Sequence, residues 1–244
     1  MKRLLLFALV GTCALVWLSA STPKRQLADE GGVIYKVIPV GVSGFAGKLA
    51  AKALPKGYEI YFRQGAALSR FKGFALMGEV DFLSLPAEGK LYKIKHKKEQ
   101  VVQYAQATPE ESDLTAENWA NELDDDYEII PTGQTDEIIG HTCAEFILRP
   151  KPGSPNEALG ELHYWITNQI HPQNALGRTS SLLQLGSRGL PLRVEFETDA
   201  GTTVGVRYEA TRLFETVPAD ISFALPSHYE VKNENDENPF SFVF

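Results

Sequence analysis

His141 and Cys143 stand two apart in the run Ile138-Ile139-Gly140-His141-Thr142-Cys143. On a strand, residues two apart project to one face, so the pair has the residue types of a cysteine nucleophile and its base. That chemistry needs direct hydrogen-bond contact and usually a third orienting group. Neighbours along one strand diverge, so the expectation is a buried cysteine that packs.

The histidines allow a metal reading only if folding brings them together: His141 with Cys143, His163 with Glu161, and the separate His171 and His228. None shows the helical i, i+4 spacing or a paired CxxC that marks a zinc site. No metal and no cofactor is expected. The acidic run Glu122, Asp124, Asp125, Asp126 and Glu128 lacks the glycine and the alternating spacing of a calcium loop and reads as a solvated surface. There is no GxSxG, no phosphate-cradling loop and no dinucleotide fingerprint. A hydrolase-type enzyme ranks last among the readings, and no catalytic residue is assigned.

Basic residues recur at Lys90, Lys93, Lys95, Lys97 and Lys98. Alternation places Lys93, Lys95 and Lys97 on one face and Tyr92, Ile94 and His96 on the other. The lysine face is expected to be solvated or to guard a sheet edge. The chain ends Phe240-Ser241-Phe242-Val243-Phe244, an alternation similar to the insertion signal of outer-membrane barrels. Arg193, Glu195, Glu197, Arg207 and Glu209 fill whole strand faces, however, where a membrane barrel needs lipid-facing apolar residues.

These residues lie in a chain with an export pattern. Lys2-Arg3 precedes an apolar run from Leu4 to Leu18, followed by small residues at Ser19-Ala20-Ser21. Residues 1–20 therefore read as a signal peptide, and the protein as exported to the periplasm or cell envelope. Thr12 before Cys13 and the apolar residues after it argue against lipoprotein anchoring. Cleavage would leave Cys143 as the only cysteine, so stability must come from the core alone; ~220 residues suffice for one domain. Of 24 basic side chains, 22 remain once Lys2 and Arg3 are removed, against 31 acidic, a balance of −9. That acidity excludes general nucleic-acid binding and argues against adsorption to an anionic membrane. No integral membrane segment is expected beyond the leader.

Residues 21–32, polar and ending in Gly31-Gly32, read as a linker. Residues 33–232 read as one domain and 233–244 as a C-terminal tail. Strands are expected over Val33–Val42, Tyr58–Arg63, Ala67–Phe71, Val80–Leu85, Leu91–Lys95 and Val101–Ala105. Thr108-Pro109-Glu110-Glu111 has the capping hydroxyl, first-turn proline and acids of a helix start, and that helix would carry Trp119 and stop near Leu123. Asn174–Leu185 is a second helix or a structured excursion. Strands resume over Tyr127–Ile130, Glu137–Ile139, Thr142–Leu148, Glu161–Thr167, Leu192–Thr198, Thr202–Leu213 and Ile221–Leu225. In Thr202–Leu213 the apolar face is Val204, Val206, Tyr208 and Ala210; in Leu192–Thr198 it is Leu192, Val194 and Phe196. Period-2 patterning of this kind means antiparallel sheet with one buried and one wet face.

Four segments carry a family resemblance: Ile138–Cys143, Leu162-His163-Tyr164-Trp165-Ile166-Thr167, Gly189-Leu190-Pro191-Leu192-Arg193-Val194-Glu195 and Phe223-Ala224-Leu225-Pro226-Ser227-His228-Tyr229. Their order and spacing resemble the DUF4412-type exported bacterial proteins, relatives of the LolA/LolB lipoprotein-carrier fold. The resemblance implies a mainly β (α+β) architecture. It would be a strongly curved antiparallel half-barrel with one or two helices on the concave side. It also implies a non-enzymatic protein that holds a lipid or acyl chain on the concave face. Residues expected to line such a groove are Trp119, Trp165, Tyr208, Phe196, Phe240 and Phe242. The competing reading is an envelope structural or interaction module whose core is filled by its own side chains.

Overall fold

Alternating β-branched and aromatic residues, punctuated by Gln64-Gly65, Pro86–Gly89 and Ile139-Gly140, dictate a succession of hairpins. The computed structural model describes residues 26–28, 30–41, 52, 54–74, 78–105, 127–154, 160–172, 188–196 and 205–233. The chain forms β1 (Gln26–Ala28), β2 (Glu30–Val40), β3 (Gly57–Arg63), β4 (Ala66–Phe74), β5 (Gly78–Leu85), β6 (Lys90–Lys95) and β7 (Gln100–Ala105). It continues with β8 (Tyr127–Ile138), β9 (His141–Pro150), β10 (Leu162–Thr167), β11 (Ile170–Pro172), β12 (Leu190–Phe196), β13 (Gly205–Phe214) and β14 (Glu230–Asn233).

Twelve strands form one open, curved sheet in the order β14-β7-β6-β5-β4-β3-β2-β13-β12-β10-β9-β8; β1 and β11 pair separately. Two antiparallel meanders make the sheet, and the antiparallel pairing of β13 with β2 splices them, Tyr208 opposite Val37 and Glu209 opposite Lys36. β14 extends the first meander by running parallel to β7.

The architecture is mainly β, but the expected helices are not borne out among the described residues. Apart from helical backbone at Lys52 and 3-10 backbone at Arg188, these hold two 3-10 turns, Pro86–Glu88 and His96–Lys98. The stretches expected to be helical, 108–123 and 174–185, lie outside the described residues. Tyr127–Ile130 and Glu137-Ile138 belong to one strand, β8, with Ile139 in the turn after it, and its pairing with β9 shifts register between Pro131 and Thr135. Ile221–Leu225 is not a strand; it belongs to an irregular strap, residues 215–229, that precedes β14.

Residues 26–28 and 30–32 are strand rather than linker. Gly31-Gly32 is buried sheet whose lack of side chains is a packing requirement. A Cβ on Gly32 would fall 2.5 Å from Tyr61 Cδ1 and 2.8 Å from the Ile60 carbonyl oxygen; on Gly31, 2.8 Å from the Phe214 carbonyl oxygen. The sequence signal for a flexible joint and for close backbone approach is the same residue type.

Alternation along the strands divides the molecule into two cores. The larger lies on the inner face and runs the width of the sheet, from Tyr104 on β7 through Val33 on β2 to Leu148 on β9. A smaller one lies on the outer face of β3–β7, where Tyr61, Leu68, Leu83 and Tyr92 pack beneath Val217, Phe223 and Leu225 of the strap. Among the described residues no helix is long and apolar enough to cross a membrane.

Candidate functional site: an aromatic rib on the inner face

Six neighbouring strands each place an aromatic ring on the inner face: Phe196 (β12), Tyr208 (β13), Tyr35 (β2), Tyr58 (β3), Phe71 (β4) and Phe82 (β5). Register aligns them, since Tyr35 faces Tyr58 and Tyr58 faces Phe71 across the ladder. Ring centroids step along the rib at 5.8 Å from Phe196 to Tyr208, 5.8 Å from Tyr208 to Tyr58, 4.3 Å from Tyr58 to Phe71 and 6.0 Å from Phe71 to Phe82. The spacings are those of edge-on and offset ring contacts.

The rib's polar atoms are engaged. Tyr35 donates its hydroxyl to the Pro191 carbonyl oxygen at 2.6 Å, and Tyr58 to Ser69 Oγ at 3.3 Å. Burial pushes the Tyr208 hydroxyl up to about 12 and Tyr35 well above the ordinary tyrosine value, so both stay neutral, Tyr35 with its tip tethered to Pro191. Lys93 is 3% exposed, with Nζ 5.5 Å from the centre of the Phe82 ring. The expected solvated lysine face is thus corrected at its central residue: the butyl stem of Lys93 is core and its ammonium lies over an aromatic face.

Of the residues expected to line a groove, Phe196 and Tyr208 meet in this rib. Trp165 does not join them. Its register partners are Arg193 and Glu145, one residue out of phase with Tyr164. Its ring lies 5.2 Å from the Arg193 guanidinium carbon and 6.1 Å from the His163 ring, on the outer face. Trp119, Phe240 and Phe242 lie outside the described residues. Sequence reasoning missed Tyr35, Tyr58, Phe71 and Phe82 as members of the rib. The signal was an aromatic among the inward positions of each successive strand.

Among the described residues, Cys143, His141, His163 and His228 do not assemble a reactive site. Cys143 is fully buried; burial pushes its thiol up to about 12, and its Sγ lies 3.5 Å from the His141 carbonyl oxygen. The His141 ring instead pairs with Gln169 Oε1 at 2.9 Å, and His163 with Glu145 Oε1 at 3.0 Å. His228 is exposed in the strap, its ring against Tyr229.

The molecule is therefore an open, curved β sheet with an aromatic inner face and a partly strapped outer one. No family model matches the chain, so the DUF4412-type resemblance finds no support at that level, and no curated protein matches. Solved structures similar to it include an uncharacterized conserved protein from Thermus thermophilus, at 9% identity and a TM-score of 0.49 over 85% of this chain and 91% of that one. PNGF-II is similar at 13% identity and a TM-score of 0.48 over 86% of this chain, which spans only 31% of that protein. A LolA superfamily protein from Nitrosomonas europaea is similar at 10% identity and a TM-score of 0.32, over 79% of this chain and 89% of that one. At these values no residue role is carried over from any of them.

Proposed function

We propose that this is an exported, non-enzymatic binding protein that holds an acyl chain or another apolar ligand against the inner face of its sheet. The observation that supports this reading is the aromatic rib: an open sheet that presents one ring per strand across six strands offers a long apolar floor. An alkyl chain laid on such a floor gains up to ~0.8 kcal/mol per buried methylene before ordering losses. Residues 1–20 direct export in this reading, with a mature N-terminus near Ser21. The domain runs from β1 to β14, residues 26–233, and the tail beyond it, with Phe240 and Phe242, lines or competes for the groove together with Trp119. Ligand binding takes place in the periplasm or cell envelope.

A second reading, an envelope interaction module with a self-filled inner face, has its own supporting observation. Tyr35, Tyr58 and Phe71 are each 2% exposed or less, so their part of the floor is already covered. The two readings part at one experiment. Organic extraction of the full chain purified from an envelope fraction, read by mass spectrometry, should release a lipid. A fluorescent fatty-acid analogue should bind the delipidated chain at micromolar affinity, and more weakly to Phe196→Ala. Clean protein without saturable binding of any acyl probe overturns the carrier reading and leaves the interaction module.

A further inference from the structure

The outer face of β3–β5 carries charge beneath and beside the strap. Glu59, Arg70 and Asp81 are successive cross-strand partners in the ladder. Asp81 faces Ile94 on β6. Two residues back along β5 is Glu79, and two residues on from Ile94 is His96, in the 3-10 turn that follows β6. The hairpin register thus brings Glu79, Asp81 and His96 to one point. One ligand atom from each lies within 4.8 Å of the others.

We propose that Glu79, Asp81 and His96 form a binding site for a divalent transition-metal ion of the Zn2+ type on the outer face of the sheet. His96 Nε2 is 3.1 Å from Asp81 Oδ2 and 3.8 Å from Glu79 Oε1. Ligands held 2.0–2.1 Å from a tetrahedral ion stand ~3.3 Å apart, so these separations bracket the requirement. Nε2 is sealed from solvent and lies in ion-pair range of both carboxylates. A ring nitrogen held between two carboxylate oxygens is in ion-pair geometry, and a divalent cation at that point would take the place of the ring proton.

The surrounding shell fits. Arg70 grips Asp81 through Nε, 3.1 Å from Oδ1 and 3.2 Å from Oδ2, and through Nη2, 3.0 Å from Oδ2, which fixes the carboxylate plane. The Tyr229 hydroxyl, 3.1 Å from Nδ1, fixes the His96 ring from its other side. Ligands oriented in this way by outer partners are the rule in metal sites. Charge points the same way. Glu59, Asp81 and Glu79 meet two permanent cations, Lys72 at 2.6 Å from Glu59 and Arg70 at 3.0 Å from Asp81, so with the His96 ring neutral one carboxylate is in excess. A carboxylate in excess at the side of a 3% exposed Asp81 favours a bound cation. Glu79, 39% exposed, is the side from which an ion enters. One imidazole and two carboxylates select Zn2+ over Ca2+ or Mg2+, which take oxygen ligands alone.

The site is on the face opposite the aromatic rib and is independent of ligand binding there. The test uses the full chain, free of any histidine tag, stripped with a chelator and titrated with ZnCl2 under native mass spectrometry, calorimetry and thermal melting. One ion per chain is expected, with a rise in Tm that saturates at one equivalent and that CaCl2 does not reproduce. Glu79→Gln and His96→Gln alter partly exposed side chains and should fold. Each should weaken Zn2+ binding by at least ~10-fold, with Tyr229→Phe intermediate. A wild-type chain that retains no Zn2+ overturns the proposal. So does equal Zn2+ affinity in the wild type and both ligand variants, which would place the ion at other residues.

Discussion

The two halves of the outer face obey the same strand period and reach opposite ends. On β12, β13 and β2 the outward residues form a half-exposed ladder: Arg193 bonds Glu209 at 3.0 Å and Asp136 at 2.7 Å, and Lys36 bonds Glu209 at 2.8 Å. On β3–β7 the outward residues include Tyr61, Leu68, Leu83 and Tyr92, buried under the strap, and beside them Glu59 and Asp81 are buried as well. The strands alone do not decide which face is wet. The decision is made by residues 215–229, which cover one half and leave the other to solvent. Charges of the same type are therefore held in two dielectric settings within one sheet, and they should behave differently when removed.

The largest expected effect follows from that contrast. In Asp81→Asn, Arg70 and His96 lose the anion they surround, in a site where the carboxylate is 3% exposed. Removing one partner of a buried pair costs about 3–5 kcal/mol. The matching deletion in the open ladder, Glu209→Gln, should cost about 1 kcal/mol or less, because exposed pairs contribute little. Urea unfolding of both variants in chelator compares them directly. Equal losses would mean that the strap does not seal the charge cluster in solution.

Where the sequence was legible follows the same division. β12 and β13 could be read residue by residue because one face is wet: Val194 and Tyr208 face inward in register, and Arg193 and Glu209 face outward. β3–β6 could not, because both faces are covered and alternation loses its contrast. Lys93 was assigned to water and is core, since a long aliphatic stem next to Phe82 is as good as a leucine until its tip must be satisfied. Ile221 and Phe223 have the apolar spacing of a strand, but their burial comes from lying on Tyr61 and Leu68, not from ladder bonds. The Glu79–Asp81–His96 cluster depends on the β5–β6 register, which a sequence pattern supplies only once the hairpin is accepted. Only a third of the inner rib was visible, at Phe196 and Tyr208, because those two rings lie on strands with a polar opposite face.

The second expected effect sharpens the division at the seam of the two halves. β2 borders both, and Gly32→Ala would drive a methyl group into Tyr61, at the edge of the strapped core. Overpacking of this kind costs about 1–3 kcal/mol. The loss should be accompanied by faster proteolysis within 215–229 and unchanged protection of β12–β13 in hydrogen exchange. Protection lost evenly across the sheet would show that the halves unfold as one unit.

A smaller effect is expected at Cys143, in the open half but fully buried. Cys143→Ala should cost about 1–2 kcal/mol through the cavity left behind. The native thiol should resist alkylation at neutral pH, because burial holds it in the protonated form. Rapid labelling would mean that β8 and β9 separate readily at this edge and that the open half is the less stable one.

The smallest effect is the pH dependence of the ladder itself. Burial alone would raise the Glu209 carboxyl, but its hydrogen bond to Lys36 and the Arg193 and Lys36 charges outweigh that and hold it below the ordinary glutamate value. The folded state then binds this proton less readily than the unfolded chain does. Its stabilisation is present above the unfolded glutamate value, ~4.3, and is lost as pH falls through the depressed folded one. Partial exposure and salt screening limit the gain to under ~1 kcal/mol. The stability difference between wild type and Glu209→Gln should therefore be steady from neutral pH to about 5, shrink as the solution is made more acid, and be smaller throughout in 1 M salt. The Asp81→Asn difference should resist salt, because its partners are enclosed. A Glu209 difference that ignores both acid and salt would show that the ladder contributes packing rather than charge, and the electrostatic contrast between the two halves would fall with it.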